Sequence, residues 1–259
     1  MRDYLEVAVE AAKLGGEVLK QSYGQVKEIE YKGEINIVTN VDKRSEKLIV
    51  ELLSSRFPKH SILAEEGTDM ANPSEFKWVI DPLDGTTNYA HDYPLFCVSV
   101  GLEKNGEMIA GAVYHPIFEE LFVAEKGGGA YLNGRKIQVS RIGNLKQGLV
   151  STGFPYDVLE NPRQAMKDFS YFVDSAQAVR RDGSAALDLC YVAMGRFDGF
   201  WEARLKPWDT AAGVLIVTEA GGRVTDFQDG HYSIYKDQVV ASNGLLHEQM
   251  CMVLRRARK

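Results

Sequence analysis

Apolar residues recur at helical spacing from the start of the chain, with Leu5, Val9, Ala12, Gly16 and Leu19 on one face. The same period through Leu48, Ile49, Leu52 and Leu53 predicts a second helix over residues 42–56, ended by Pro58. Between them, Tyr31-Lys32-Gly33-Glu34-Ile35-Asn36 is short, polar and glycine-containing, and reads as a mobile loop beside whatever Asp42 faces. From Ile62 to about Val139 the pattern shifts to short β-branched and aromatic runs broken by Asn105-Gly106, His115-Pro116, Gly127-Gly128-Gly129 and Asn133-Gly134. This predicts an antiparallel meander, with strands over 96–103, 108–114 and 121–125 in one sheet covered by the two N-terminal helices. Beyond about Gln147 strands over 148–153, 178–181, 199–202, 223–226 and 239–242 are interspersed with helices over 162–174, 184–194, 210–220 and 245–256. The chain therefore reads as an α+β half, residues 1–146, followed by a layered α/β half, residues 147–259, with a ligand cleft between them.

Composition narrows the class. At 259 residues, with 45% apolar and 25% charged residues, the chain matches a globular protein with a large core. The net charge of −6 argues against non-specific nucleic-acid binding, and the terminal Arg255, Arg256, Arg258 and Lys259 read as cations complementing the end of a last helix. Cys97, Cys190 and Cys251 are odd in number and set in apolar runs, which suits a reducing compartment better than a disulfide framework. The N-terminus leads straight into an acidic amphipathic helix, and no apolar run is long enough to span a bilayer, so a cytoplasmic location is expected.

Four segments carry candidate chemistry. In Asp81-Pro82-Leu83-Asp84-Gly85-Thr86-Thr87 two carboxylates follow the strand-like run Trp78-Val79-Ile80; Pro82 is expected to stop the ladder, and Gly85 to turn the chain into a short helix near Thr86. Carboxylates gather Mg²⁺ and helix-start N–H groups attract phosphate, but the segment alone reads equally as a Pro-x-Asp-Gly surface turn. Glu65-Glu66 ends the run Ser61-Ile62-Leu63-Ala64 and could be a solvated strand end. Asp209, in Trp208-Asp209-Thr210-Ala211-Ala212-Gly213, and Asp42 each stand at a predicted helix start, where aspartate commonly caps. His91 and His115 lie near turns and read as ordinary surface or turn histidines. Arg180-Arg181 either contacts a second phosphate or ends a strand.

Taken together and in this order, Glu65-Glu66, Asp81-Pro82-Leu83-Asp84-Gly85-Thr86, Gly183-Ser184-Ala185-Ala186 through Glu202, and Trp208-Asp209-Thr210-Ala211-Ala212-Gly213 resemble the inositol monophosphatase family, part of the lithium-sensitive, magnesium-dependent sugar phosphatases. The resemblance covers nearly the whole chain and implies a five-layer αβαβα sandwich. It further implies that Glu65, Asp81 and the Leu83 carbonyl hold a first Mg²⁺, that Asp81, Asp84 and Asp209 hold a second, and that a weaker third shares Glu65. By the same resemblance water is the nucleophile, positioned by Glu65 and the Thr86 hydroxyl, with Asp42 hydrogen-bonded to Thr86. Gly85 and Thr86 N–H groups would grip phosphate, while Asp84, Glu202 and the backbone of Gly183, Ser184 and Ala185 would meet the hydroxyls of a sugar or inositol phosphate. Lys32 and Glu34 would close over the third ion, and a homodimer is implied.

Two other mechanisms fit parts of the pattern. Haloacid-dehalogenase phosphatases carry a similar Asp-x-Asp-Gly-Thr motif with an aspartyl nucleophile, but the spacing here is longer by one residue and the motif lies far from the N-terminus. A non-catalytic binding protein on the same fold would be favoured by loss of a carboxylate, and the set is complete. Among substrates, inositol 1-phosphate is favoured and fructose 1,6-bisphosphate is the alternative.

Overall fold

The N-terminal stripe forms α1 (Arg2–Ser22), with Ala8, Ala11, Ala12, Val18 and Leu19 buried. The computed structural model describes residues 2–25, 28–31, 37–155 and 162–258, so most of the expected loop before Asp42, including Lys32 and Glu34, lies outside the described residues. Strands β1 (Ile29–Tyr31) and β2 (Ile37–Thr39) form an antiparallel ladder leading into α2 (Asn40–Arg56). This helix starts two residues earlier than the pattern suggests, because Thr39 is its cap and Asp42 closes a capping box from the third helical position.

The large sheet contains β3 (Ser61–Ala64), β4 (Asp69–Met70), β5 (Phe76–Asp84), β6 (Cys97–Lys104), β7 (Glu107–His115), β8 (Glu120–Glu125), β9 (Gly129–Leu132) and β10 (Arg135–Lys136); the short α3 (Thr86–Ala90) follows β5. Its order is β10-β9-β8-β7-β6-β5-β3-β4. The meander is present from β5 onward, but β3 runs parallel to β5, because residues 65–75 return the chain to the same end of the sheet. Asn105-Gly106 and Asn133-Gly134 turn the hairpins, with φ of +50° and +86°, and +49° and +75°, the left-handed pairs that match sheet twist. Strand β5 does not stop at Pro82. It continues through a bulge between Asp81, paired with Ser99, and Asp84, paired with Cys97.

The second half places β11 (Leu149–Thr152), α4 (Pro162–Ser175), β12 (Ala178–Arg180), α5 (Ala185–Ala193), β13 (Gly199–Ala203), α6 (Pro207–Glu219), β14 (Arg223–Thr225), β15 (Gln238–Ser242) and α7 (His247–Ala257) around a five-stranded sheet of order β12-β11-β13-β15-β14. Helices α1 and α2 cover one face of the large sheet, α5 and α6 fill the space between the two sheets, and α4 and α7 cover the far face. The result is the αβαβα sandwich. Its middle core joins Val79, Cys97 and Phe122 to Leu189, Ile216 and Ala241, and its outer core stacks Phe172 on Trp201 at 3.6 Å between ring centroids.

Helix α6 begins at Pro207, three residues before the expected start, because Lys206 caps it and Asp209 occupies the third helical position. Its alanines let it lie directly on the large sheet: a Cβ at Gly111 would come within 3.0 Å of the Ala212 Cα, and Ala212 is wholly buried. Ala212→Leu has no room to repack and should lower the unfolding free energy by about 1–3 kcal/mol. Urea denaturation measures this directly, and an unchanged midpoint would contradict the packing.

Candidate active site

Three polar side chains at i, i+3 and i+4 on α2 face the sheet instead of solvent: Asp42, Ser45 and Glu46 are all buried. The Ser45 hydroxyl donates to the Pro82 carbonyl at 3.0 Å, securing the bulge of β5. Glu46 accepts from the Glu66 N–H at 2.6 Å, the Thr68 N–H at 3.1 Å and the Thr68 hydroxyl at 2.7 Å, and so fixes the turn that carries Glu65. Asp42 accepts from the Thr39 N–H and hydroxyl through Oδ2, while its Oδ1 lies 3.1 Å from Thr86 Oγ1. The same Thr86 hydroxyl lies 3.1 Å from the Leu83 carbonyl. One helix face thus positions three parts of the motif region. Ser45 and Glu46 were not singled out by sequence, although their spacing from Asp42 was visible there.

Gly85 stands at the turn into α3 with φ +96°, and a Cβ there would approach the Leu95 carbonyl oxygen at 2.9 Å, so both backbone angle and space require glycine. The first N–H groups of α3 have no acceptor within the helix. Gly85 and Thr86 line a cavity of about 250 Å³ together with Glu65, Asp81, Leu83, Asp84, Glu202 and Asp209. Asp81 Oδ1 accepts from the Leu83 N–H at 3.0 Å. Asp84 Oδ2 accepts from the Ser184 hydroxyl at 2.6 Å and the Ala186 N–H at 2.7 Å, which joins β5 to the start of α5. Asp209 accepts from the Lys206 N–H at 2.6 Å. The two halves therefore meet at their carboxylates.

Adjoining this space is a smaller cavity of about 90 Å³, which shares Asp84, Gly85, Glu202 and Asp209 and adds Gly183, Ser184 and Ala185. Thr152, Gly153, Phe154, Arg181 and Asp188 complete its wall; of these, only Arg181 was singled out in the sequence. Gly153 lies against the Glu202 carboxylate, so a Cβ there would have to displace it. The Ser184 hydroxyl is engaged by Asp84 and also accepts from the Leu187 N–H at 3.4 Å.

The electrostatics follow from crowding acids in a dry place. Burial first, then Glu65, Asp84 and Asp209, holds Asp81 well above the usual carboxylate range. Burial raises Asp84 to about 6 and Asp42 to about 6; for Asp42 the Thr39 hydrogen bond pulls the other way and repulsion from Glu66 adds to the rise. Glu202 is raised to about 8 by burial and then by Asp84, with Arg181 pulling the other way. Asp209 keeps some exposure toward the cavity that it lines, and is raised by burial and by Asp84 despite Lys206. Hard oxygen donors at this density fit a divalent cation, which would relieve their mutual repulsion.

Other candidates separate from the site. His91 is exposed, whereas His115, at the end of β7 directly before a turn, is fully buried against Phe96 and Phe118, and burial lowers its pKa to about 4. Asp229, His247 and Cys251 also converge, within 4.8 Å. There Thr225 Oγ1 lies 2.8 Å from both the Asp226 carbonyl oxygen and His247 Nε2, and Arg223 holds Asp229 at 2.7 Å. The three cysteines are buried free thiols.

The comparisons with known proteins agree with this architecture across the full length. The sequence model of the inositol monophosphatase family matches residues 1–259. The chain belongs to this family. It is 42% identical over 256 residues to an inositol-1-monophosphatase of Synechocystis, covering 98% of this chain and 89% of that protein. A fructose-1,6-bisphosphatase/inositol-1-monophosphatase of Aquifex aeolicus is 43% identical, with 99% and 97% covered. Among solved structures, the extragenic suppressor protein suhB of Bartonella henselae superposes with a TM-score of 0.94 at 38% identity, covering 98% of this chain and 99% of that one. Among the described residues no helix is long and apolar enough to cross a membrane.

The buried acids of the cavity make a pH prediction with a definite sign. Asp42, Asp84 and Glu202 have folded pKa values of about 6, 6 and 8, above their ordinary values of 3.8, 3.8 and 4.5. The native state therefore keeps protons that the unfolded chain releases, and the cation-free protein should lose stability as pH rises from about 4 to about 8. Thermal unfolding in a chelating buffer checks this, and a Tm that climbs across that window would contradict it.

Proposed function

We propose that the protein is a Mg²⁺-dependent phosphoric monoester hydrolase that cleaves inositol phosphate to inositol and inorganic phosphate. The observation that carries the reading is the cavity in which Glu65, Asp81, Asp84 and Asp209 converge beside the glycine-led start of α3, next to a smaller polar recess. In this reading Glu65, Asp81 and the Leu83 carbonyl would hold one ion, Asp81, Asp84 and Asp209 would hold a second, and Glu65 would contribute to a weaker third. When bound, such ions neutralise phosphoryl oxygens and lower the pKa of water toward hydroxide.

The chain's own groups do the rest. Gly85 and Thr86 N–H groups hold the phosphate oxygens in fixed positions, so that charge growing in the transition state meets ready donors. Thr86 and Glu65 orient the attacking water, and Asp42, ionised, draws the Thr86 hydroxyl proton toward itself and leaves the Thr86 oxygen lone pairs for the water. Glu202 and the backbone at Gly183, Ser184 and Ala185 receive the hydroxyls of the leaving alcohol. A homodimer and lithium sensitivity belong to the same proposal, and are tested by sedimentation and by a lithium titration.

Fructose 1,6-bisphosphate is the second substrate reading, supported by the name of the Aquifex relative. Phosphate release measured across inositol 1-phosphate, fructose 1,6-bisphosphate, histidinol phosphate and adenosine bisphosphate should give the highest kcat/KM with inositol 1-phosphate; a clear preference for any other would replace the substrate named here. Asp84→Asn should abolish Mg²⁺-dependent phosphate release with the fold retained by circular dichroism. Near-normal turnover in that variant would refute its place among the metal ligands.

A further inference from the structure

Helix α5 is apolar and buried along its whole length apart from one charged residue, Asp188. That residue is 1% exposed, and its Oδ1 has no hydrogen-bond partner among the described residues. A carboxylate taken out of water is unfavourable unless something compensates it, and its neighbours on α5, Leu187 and Leu189, show that an apolar side chain is the ordinary occupant of this helix. Asp188 also forms part of the wall of the smaller cavity, together with Glu202, Arg181 and Thr152. Arg181 is not committed to it alone, since its guanidinium stands over the Phe154 ring at 5.9 Å.

From this geometry we infer that Asp188 is a specificity-determining residue that accepts a hydrogen bond from a hydroxyl of the substrate's alcohol portion, on the side of the recess away from the phosphate. The inference rests on the phosphatase reading above and extends it. Two buried acids, Glu202 and Asp188, with one nearby guanidinium make the recess fit an uncharged end rich in O–H donors, and disfavour a second phosphate there. Phosphate binds in the larger cavity, so a substrate without hydroxyls bypasses Asp188 while still using the carboxylates and the α3 N–H groups.

The test compares wild type with Asp188→Ala and Asp188→Asn on two probes, inositol 1-phosphate and p-nitrophenyl phosphate, the second having no hydroxyl on its alcohol portion. Leaving a substrate hydroxyl without its buried partner should reduce kcat/KM for inositol 1-phosphate by about 10- to 100-fold in Asp188→Ala. The conservative Asp188→Asn should recover part of it, and p-nitrophenyl phosphate should be hydrolysed by all three proteins within about two-fold of one another. Activity on the aryl ester also reports that each variant is folded. Equal losses on both probes, or no loss on either, would overturn the assignment and leave Asp188 a structural residue. A wild type that hydrolyses the aryl ester but no polyol phosphate would sink the substrate reading along with it, and that outcome is visible before any variant is made.

Discussion

Asp84 ties the two halves of the molecule together. Its carboxylate ends β5, the strand between β6 and β3 in the large sheet, and one of its oxygens receives the hydroxyl and N–H that open α5, a helix packed between the two sheets. Charge-assisted hydrogen bonds of this kind are short and strongly directional. The Asp84 side chain lines both cavities. The same contact that orients an acid for chemistry therefore also sets how the second half sits on the first, and Asp209 and Glu202 arrive at the cavity because α6 and β13 are carried along with α5.

Polarity on the inner face of α2 does comparable work on the other side. A helix packed on a sheet normally buries only its apolar stripe. Here Asp42, Ser45 and Glu46 are buried because each meets a donor or acceptor that strand ends and turns leave unsatisfied: the Thr86 hydroxyl, the Pro82 carbonyl, and the Glu66 and Thr68 N–H groups. Without them the β5 bulge and the Glu65 turn would have polar backbone groups buried with nothing to bond.

Much of this was legible in the sequence, and the exceptions have two causes. Hairpins were readable at Asn105-Gly106 and Asn133-Gly134, where local chemistry decides the turn, and the helices of the second half from their apolar period. The gathering of Glu65, Asp81, Asp84 and Asp209 was readable from the resemblance of their motifs. The parallel pairing of β3 with β5, the burial of Glu46, Asp188 and His115, and the early starts of α2 and α6 were not. The pairing and the burials depend on partners distant in the chain, whereas the two early helix starts carried local signals, Thr39 three residues before Asp42 and Pro207 at the first helical position, that the apolar period alone does not report.

The bulge in β5 bears on the spacing of the motif itself. In a regular strand side chains alternate between faces, so residues three apart, such as Asp81 and Asp84, would point in opposite directions. Because two residues of β5, Pro82 and Leu83, stand opposite one residue of β6, Val98, the alternation is reset and both aspartates come to the cavity side. Pro82, which has no N–H to offer a neighbouring strand, sits where the ladder is already interrupted. A motif with one intervening residue needs no such interruption to place two acids together. The extra residue in Asp-x-x-Asp is thus a record in the primary structure of an irregular strand, and removing it would leave the fold to choose between its ladder and its second acid.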